Sequence, residues 1–135
     1  MSKIVKVVNA MLSNSNRIST VINHDGYWYF LYDEKYGWCI QSWDYEGENR
    51  YRLYFLKGAG SSYVNDPREF EILSRQDIRS LIKVGKAIEY NTNEINSDEA
   101  LQAFRLLFTG VREKGMGIDK VFDEIIDGYV SPRGT

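Results

Sequence analysis

The chain has 135 residues, of which 43% are apolar and 27% charged, with a formal net charge of −2. That length is the size of one domain, and the composition excludes a disordered or collagen-like chain. The longest unbroken apolar run, residues 27–32, is too short to cross a membrane. One Cys and one His exclude an intrachain disulfide and any zinc site built from those two residue types alone.

Residues 1–9 lack the continuous apolar stretch and small-residue cleavage site of a secretory signal. The lone Cys39 suits a reducing compartment, so a cytoplasmic location is expected. A first helix is predicted over 3–13, where Ile4, Val8, Met11 and Leu12 recur at helical spacing with Lys6, Asn9 and Ser13 opposite. The polar run 13–16 ends it. Residues 17–22 read as a short strand, with Ile18, Thr20 and Ile22 on one side, and Asp25-Gly26 is a hairpin dipeptide.

Thirteen of the 19 aromatic residues lie between Tyr27 and Tyr63, which marks this stretch as the sheet. Strands are predicted at 27–32, 38–43 and 50–56, antiparallel because the connections are short. Alternation puts Trp28, Phe30, Tyr32, Trp38, Ile40, Leu53 and Phe55 on one face. The other face takes Tyr27, Tyr29, Cys39, Gln41, Trp43, Arg52 and Tyr54. The first face is the more apolar and is expected to meet the helices.

Residues 58–62 read as a flexible loop, and 69–73 as a further strand in which Phe70 and Ile72 alternate with charge. Ser74, with Asp77 three residues on, resembles a capping box and starts a helix to about residue 90, buried through Ile78, Leu81, Ile82 and Ile88. A third helix starts at Asn96 or Ser97 and runs to 114, burying Leu101, Phe104, Phe108 and Val111. Gly115-Met116-Gly117 breaks it. A fourth, 118–127, buries Val121, Phe122, Ile125 and Ile126, and 131–135 form a frayed tail. The expected fold is a single α+β domain over 1–130. It has an N-terminal helix, an antiparallel sheet of three to four strands (five if 17–22 and 69–73 both pair), and three C-terminal helices on one sheet face.

Few groups suggest chemistry. His24-Asp25 is the one place where a base adjoins a carboxylate, in a stretch that also reads as a plain turn. Cys39 has no cation near it in sequence to lower its pKa, and His24 would have to be brought to it by the fold. Asp44, Glu46 and Glu48 alternate like cation ligands, but Gly47 and Phe55 do not fit an EF-hand loop. The 58–62 loop lacks the Lys of a P-loop. No cofactor or metal is expected.

Two charged sets stand out. Arg75, Arg79, Lys83 and Lys86 fall on one arc of the helix predicted at 74–90, where they would suit an acidic partner or phosphates, although such strips are ordinarily just solvated. Asp119, Asp123, Glu124 and Asp127 form the opposite strip on the last helix and could pair with it within or between chains. The strongest candidate surface is the second sheet face, where Tyr27, Tyr29, Trp43, Arg52 and Tyr54 make an aromatic-and-arginine platform, open unless a helix or loop covers it. Such residues are enriched at protein interfaces, so the leading reading is a non-enzymatic accessory protein that binds a protein partner through this face, with homodimer formation through the same face expected. Stacking of single-stranded nucleic acid ranks below it because the chain is acidic. A small enzyme using His24 with Cys39 or Asp25 is the third reading.

Overall fold

The computed structural model describes residues 2–56 and 67–130. In chain order these form α1 (Lys3–Ser13), a 3-10 turn (Ser15–Arg17), β1 (Ile18–His24), β2 (Tyr27–Tyr32), β3 (Tyr36–Tyr45), β4 (Glu48–Leu56), α2 (Pro67–Ser74), α3 (Ile78–Lys83), β5 (Ile88–Asn91), α4 (Asp98–Met116) and α5 (Ile118–Val130). The fold is α+β, with one antiparallel sheet in the order β1-β2-β3-β4-β5. The strand expected at 17–22 is present over 18–24, but Ile18 and Ile22 pack on opposite sheet faces rather than one, and the fifth strand comes from a different segment than 69–73.

Two-residue turns set the β1–β2 and β3–β4 hairpins. Asp25 and Gly26 have φ of 52° and 81°, and Glu46 and Gly47 repeat this with 52° and 84°. Paired positive φ values mark the turn whose twist matches that of the flanking strands. β1 is irregular: its register shifts between Ser19 and Ile22, around a Thr20 with φ of 52°. A bulge at this edge bends the strand.

The predicted face assignment holds. Trp28, Phe30, Tyr32, Trp38, Ile40, Leu53 and Phe55 pack with α1 and α4 in one core. α1 inserts Val5, Val8 and Met11, and its first turn is capped by Ser2 Oγ, which accepts from Val5 N–H. α4 inserts Ala100, Ala103, Phe104, Leu107 and Val111, with Leu101 and Phe108 half-buried at its flank. Ser97 Oγ caps it by accepting from Ala100 N–H at 3.1 Å, and Gly117 ends it at φ 68°.

Two predicted elements differ. Residues 69–73 lie in α2 rather than a strand. Phe70 and Leu73, one helical turn apart, are buried, whereas Ile72 is 59% exposed. Five residues are too few to separate the Phe70/Ile72 alternation from the Phe70/Leu73 helical spacing, and Pro67 suits a helix start. The long helix at 74–90 does not form. Asp77, not Ser74, caps the short α3 by accepting from Arg79 N–H at 3.0 Å. Gly85, at φ 77°, then turns the chain so that residues 88–91 add to the free edge of β4. Ile78 and Leu81 are buried as expected, and Ile82 and Ile88 are not. Thr92 locks this addition: Tyr51 N–H donates to its Oγ1 at 3.1 Å, and its own N–H donates to Tyr51 O at 3.0 Å.

The helices also take both sheet faces rather than one. Phe70 and Leu73 of α2, with Ile78 and Leu81 of α3, pack on Tyr29, Leu31, Cys39, Tyr54 and Leu56 of the second face. α5 is helical as its pattern predicts, but Val121, Phe122, Ile125 and Ile126 are all at least half exposed rather than buried. Among the described residues, no element other than α4 packs substantially against it.

Candidate functional site

The predicted aromatic platform is closed at its centre. Tyr29 and Tyr54 are 1% and 3% exposed beneath α2 and α3. The Phe70 ring meets Tyr29 edge-on at 6.5 Å, and Tyr27, half-buried, leans on Tyr29 and Tyr54 at 6.4 and 6.2 Å. Burial drives both tyrosine hydroxyls well above their ordinary range. Among the described residues, the far end of this face stays open. There the Arg52 guanidinium stacks 4.0 Å over the Trp43 ring and donates to Gln41 Oε1 at 3.4 Å. Arg50 lies 5.8 Å over Tyr45 beside it.

The structure separates His24 from Cys39. His24 pairs across the sheet with Tyr27, while Cys39 pairs with Tyr29 from the other side of β2. Cys39 is fully buried, and desolvation pushes its thiol well above the usual cysteine range, with a hydrogen bond to Tyr29 only partly opposing this. A thiol in that state is not a nucleophile at neutral pH. His24 Nε2 lies 3.4 Å from Asp25 Oδ2 in a solvent-exposed turn. A polar notch of about 260 Å³ brings His24, Asp25, Tyr27 and Tyr29 together with Arg75 and Asp77. Its charges are already engaged: Arg75 pairs with Glu71 at 2.9 Å, and Asp77 caps α3.

The basic strip is dispersed. Arg75 follows α2, Arg79 and Lys83 lie on α3, and Lys86 sits in the turn before β5, all exposed. Without one helix spanning 74–90, these four side chains share no helical face. On α5, Asp123, Glu124 and Asp127 are exposed. Glu48, one of the three alternating carboxylates, pairs with Arg50 at 2.9 Å. Among the described residues no group of three or more His, Cys, Asp or Glu is placed to hold a metal ion. The 58–62 loop lies outside the described residues.

One concavity was not anticipated. A groove of about 640 Å³ runs between α1 and the first sheet face. Ile4, Val7 and Met11 form its helical wall. Tyr32, Trp38, Phe55 and Tyr90, from four successive strands, form its floor. The Trp38 and Phe55 rings pack at 4.8 Å, and Tyr36, 42% exposed, stands at the mouth. Lys3 lies on the rim, and Lys35 Nζ sits 5.1 Å above the Tyr36 ring. Among the described residues no carboxylate lines the groove. The sequence did carry a signal for it. α1 has apolar residues at 4, 5, 7, 8, 11 and 12, a wider arc than one contact needs. Val5 and Val8 are buried in the main core, and Ile4 and Val7 are left for the groove.

No protein-family model matches the chain, and no curated protein or solved structure is significantly similar to it. No helix among the described residues is long and apolar enough to cross a membrane.

Proposed function

We propose that this chain is a non-enzymatic protein-binding domain and that its docking surface is the groove between α1 and the sheet. The supporting observation is the groove itself: about 640 Å³ of mainly apolar lining, floored by aromatic rings and edged by Lys3. A ligand pocket of this size and character is the usual form of a binding site. Its long wall is a helix on an open sheet surface, which is the place where a further amphipathic helix lays its apolar stripe. The cationic rim favours a helix flanked by carboxylates. Relative to the sequence-based expectation, the binding role is kept and the surface moves, because α2 and α3 cover Tyr29 and Tyr54.

The test is titration of the ¹⁵N-labelled chain with a short designed amphipathic peptide, acidic on its polar face and unrelated in sequence to residues 118–130. Chemical-shift changes should cluster at Val7, Trp38 and Tyr90. Val7→Glu should weaken binding by about tenfold or more, which is about 1.4 kcal/mol. An absence of binding, or shifts confined to the α2/α3 side, would overturn the reading.

The Trp43–Arg52 stack supports a second reading, the stacking of single-stranded bases at the open hairpin end. It predicts oligonucleotide binding that weakens with salt and is lost in Arg52→Ala.

A further inference from the structure

We infer that the occupant of the groove is α5 of a second copy of this chain, exchanged reciprocally in a twofold dimer. The inference rests on the groove being a helix-docking surface and adds the identity of the helix.

Among the described residues, α5 has no partner surface beyond its contact with α4. It has 13 residues, a length at which isolated helices are marginal in water. Yet Val121, Phe122, Ile125 and Ile126 stand at least half exposed along one side. The spacing i, i+1, i+4, i+5 makes these four a continuous stripe. Such a stripe is stabilised only by a complementary apolar surface, and the groove between α1 and the sheet offers one.

Length and charge agree. Thirteen helical residues span about 20 Å, enough to run the whole of the 11-residue α1 that walls the groove. α5 carries Asp119, Asp123, Glu124 and Asp127 against Lys120 alone, whereas α1 carries Lys3 and Lys6 and no carboxylate. Lys35 adds a third cation at the mouth of the groove. The acidic helix and the basic, carboxylate-free groove are complementary in sign, which favours this pairing over one between two acidic α5 helices.

Connectivity points to a second copy rather than to the chain's own α5. α5 leaves α4 at Gly117, close to Gly115, whose backbone lies against Val21 and Trp28. Trp28 lies near the start of β2, and the groove lies at the other end of that strand, at Tyr32. Four strand residues cover about 13 Å. No residue of α4 lines the groove, so the chain's own α5 would have to reverse direction and pass α1 to reach it. A second copy supplies the helix without that reversal. Twofold exchange also makes the contact twice, whereas one pair of short helices falls short of the roughly 800 Å² per partner of a stable interface.

The test is sedimentation velocity on the full chain and two variants, with folding checked by circular dichroism. Wild type should sediment as a dimer at tens of micromolar. Phe122→Asp/Ile125→Asp alters exposed positions and should be folded and monomeric. Val7→Glu/Tyr36→Asp, in the groove, should be monomeric too. Mixed at several hundred micromolar, the two variants keep one of the two contacts, and they should associate weakly, more than either alone and less than wild type. A monomeric wild type overturns the exchange while leaving the designed-peptide test to judge the groove on its own. A dimeric groove variant also overturns it, as does a mixture no more associated at that concentration than either variant alone.

Discussion

Gly115 lies directly against the indole of Trp28. A Cβ at residue 115 would sit 2.5 Å from Trp28 Cζ3 and 2.7 Å from Val21 Cγ1, closer than such atoms approach in folded proteins. This contact pins the C-terminal end of α4 to the β1–β2 hairpin and fixes the point from which α5 departs. Gly115→Ala should therefore destabilise the domain by about 1–3 kcal/mol through overpacking, even though Ala is the better helix former. Urea denaturation measures this. A neutral or stabilising substitution would mean that the indole moves aside freely.

Phe104 is fully buried between the sheet and α1, whereas Phe122 is 56% exposed. Phe104→Ala should cost about 3–5 kcal/mol, the range for removing a core aromatic ring. Phe122→Ala should change the stability of the isolated protomer by less than about 0.5 kcal/mol, as at other surface positions. Thermal unfolding at low protein concentration separates the two, and equal losses would mean that α5 is packed within its own chain.

Thr20 is a β-branched residue in the left-handed region, at φ 52°. That conformation costs roughly 1–2 kcal/mol for a residue with a Cβ, part of which glycine's greater unfolded-state freedom offsets. Thr20→Gly should leave the fold intact and raise stability by up to about 1 kcal/mol. A clear loss would show that the threonine side chain holds the bulge.

Cys39, Tyr29 and Tyr54 all resist ionisation in the folded state because they are desolvated. Below their unfolded values, about 8.5 for Cys and 10 for Tyr, both states hold the proton and stability is complete. Above those values the unfolded chain releases protons that the folded chain keeps, so stability falls as pH rises. Urea midpoints should be level from about pH 7 to 8 and decline steadily above about pH 9. Cys39→Ala should remove the earliest part of the decline. A thiol reagent should label Cys39 only as fast as the protein unfolds.

Much of the fold was legible in the sequence because its signals are local. Asp25-Gly26 and Glu46-Gly47 allow the positive φ pair that a tight hairpin needs, and they bound β2, β3 and β4. Alternation within those strands assigned Trp38 and Leu53 to one face and Cys39 and Tyr54 to the other, because successive side chains on a strand must point oppositely. Ser97 marked the start of α4 through capping chemistry that depends only on neighbouring residues, whereas its end, expected at 114, lies at Met116, because Gly115 stays helical and Gly117 takes the left-handed turn.

Tertiary structure decided the rest. Residues 88–91 became a strand because β4 offered a free row of backbone donors and acceptors, which no pattern in 74–90 records. Phe70 points at Tyr29 through a helix because the second sheet face needed covering, and that covering closed the predicted platform. The groove exists because residues 4 and 7 on α1 meet residues 32, 38, 55 and 90, which lie far apart in the chain. The stripe on α5 shows the same limit. Periodicity establishes that Val121, Phe122, Ile125 and Ile126 share a side of a helix. Burial, however, is a relation between two surfaces, and the sequence of one helix contains only the first of them.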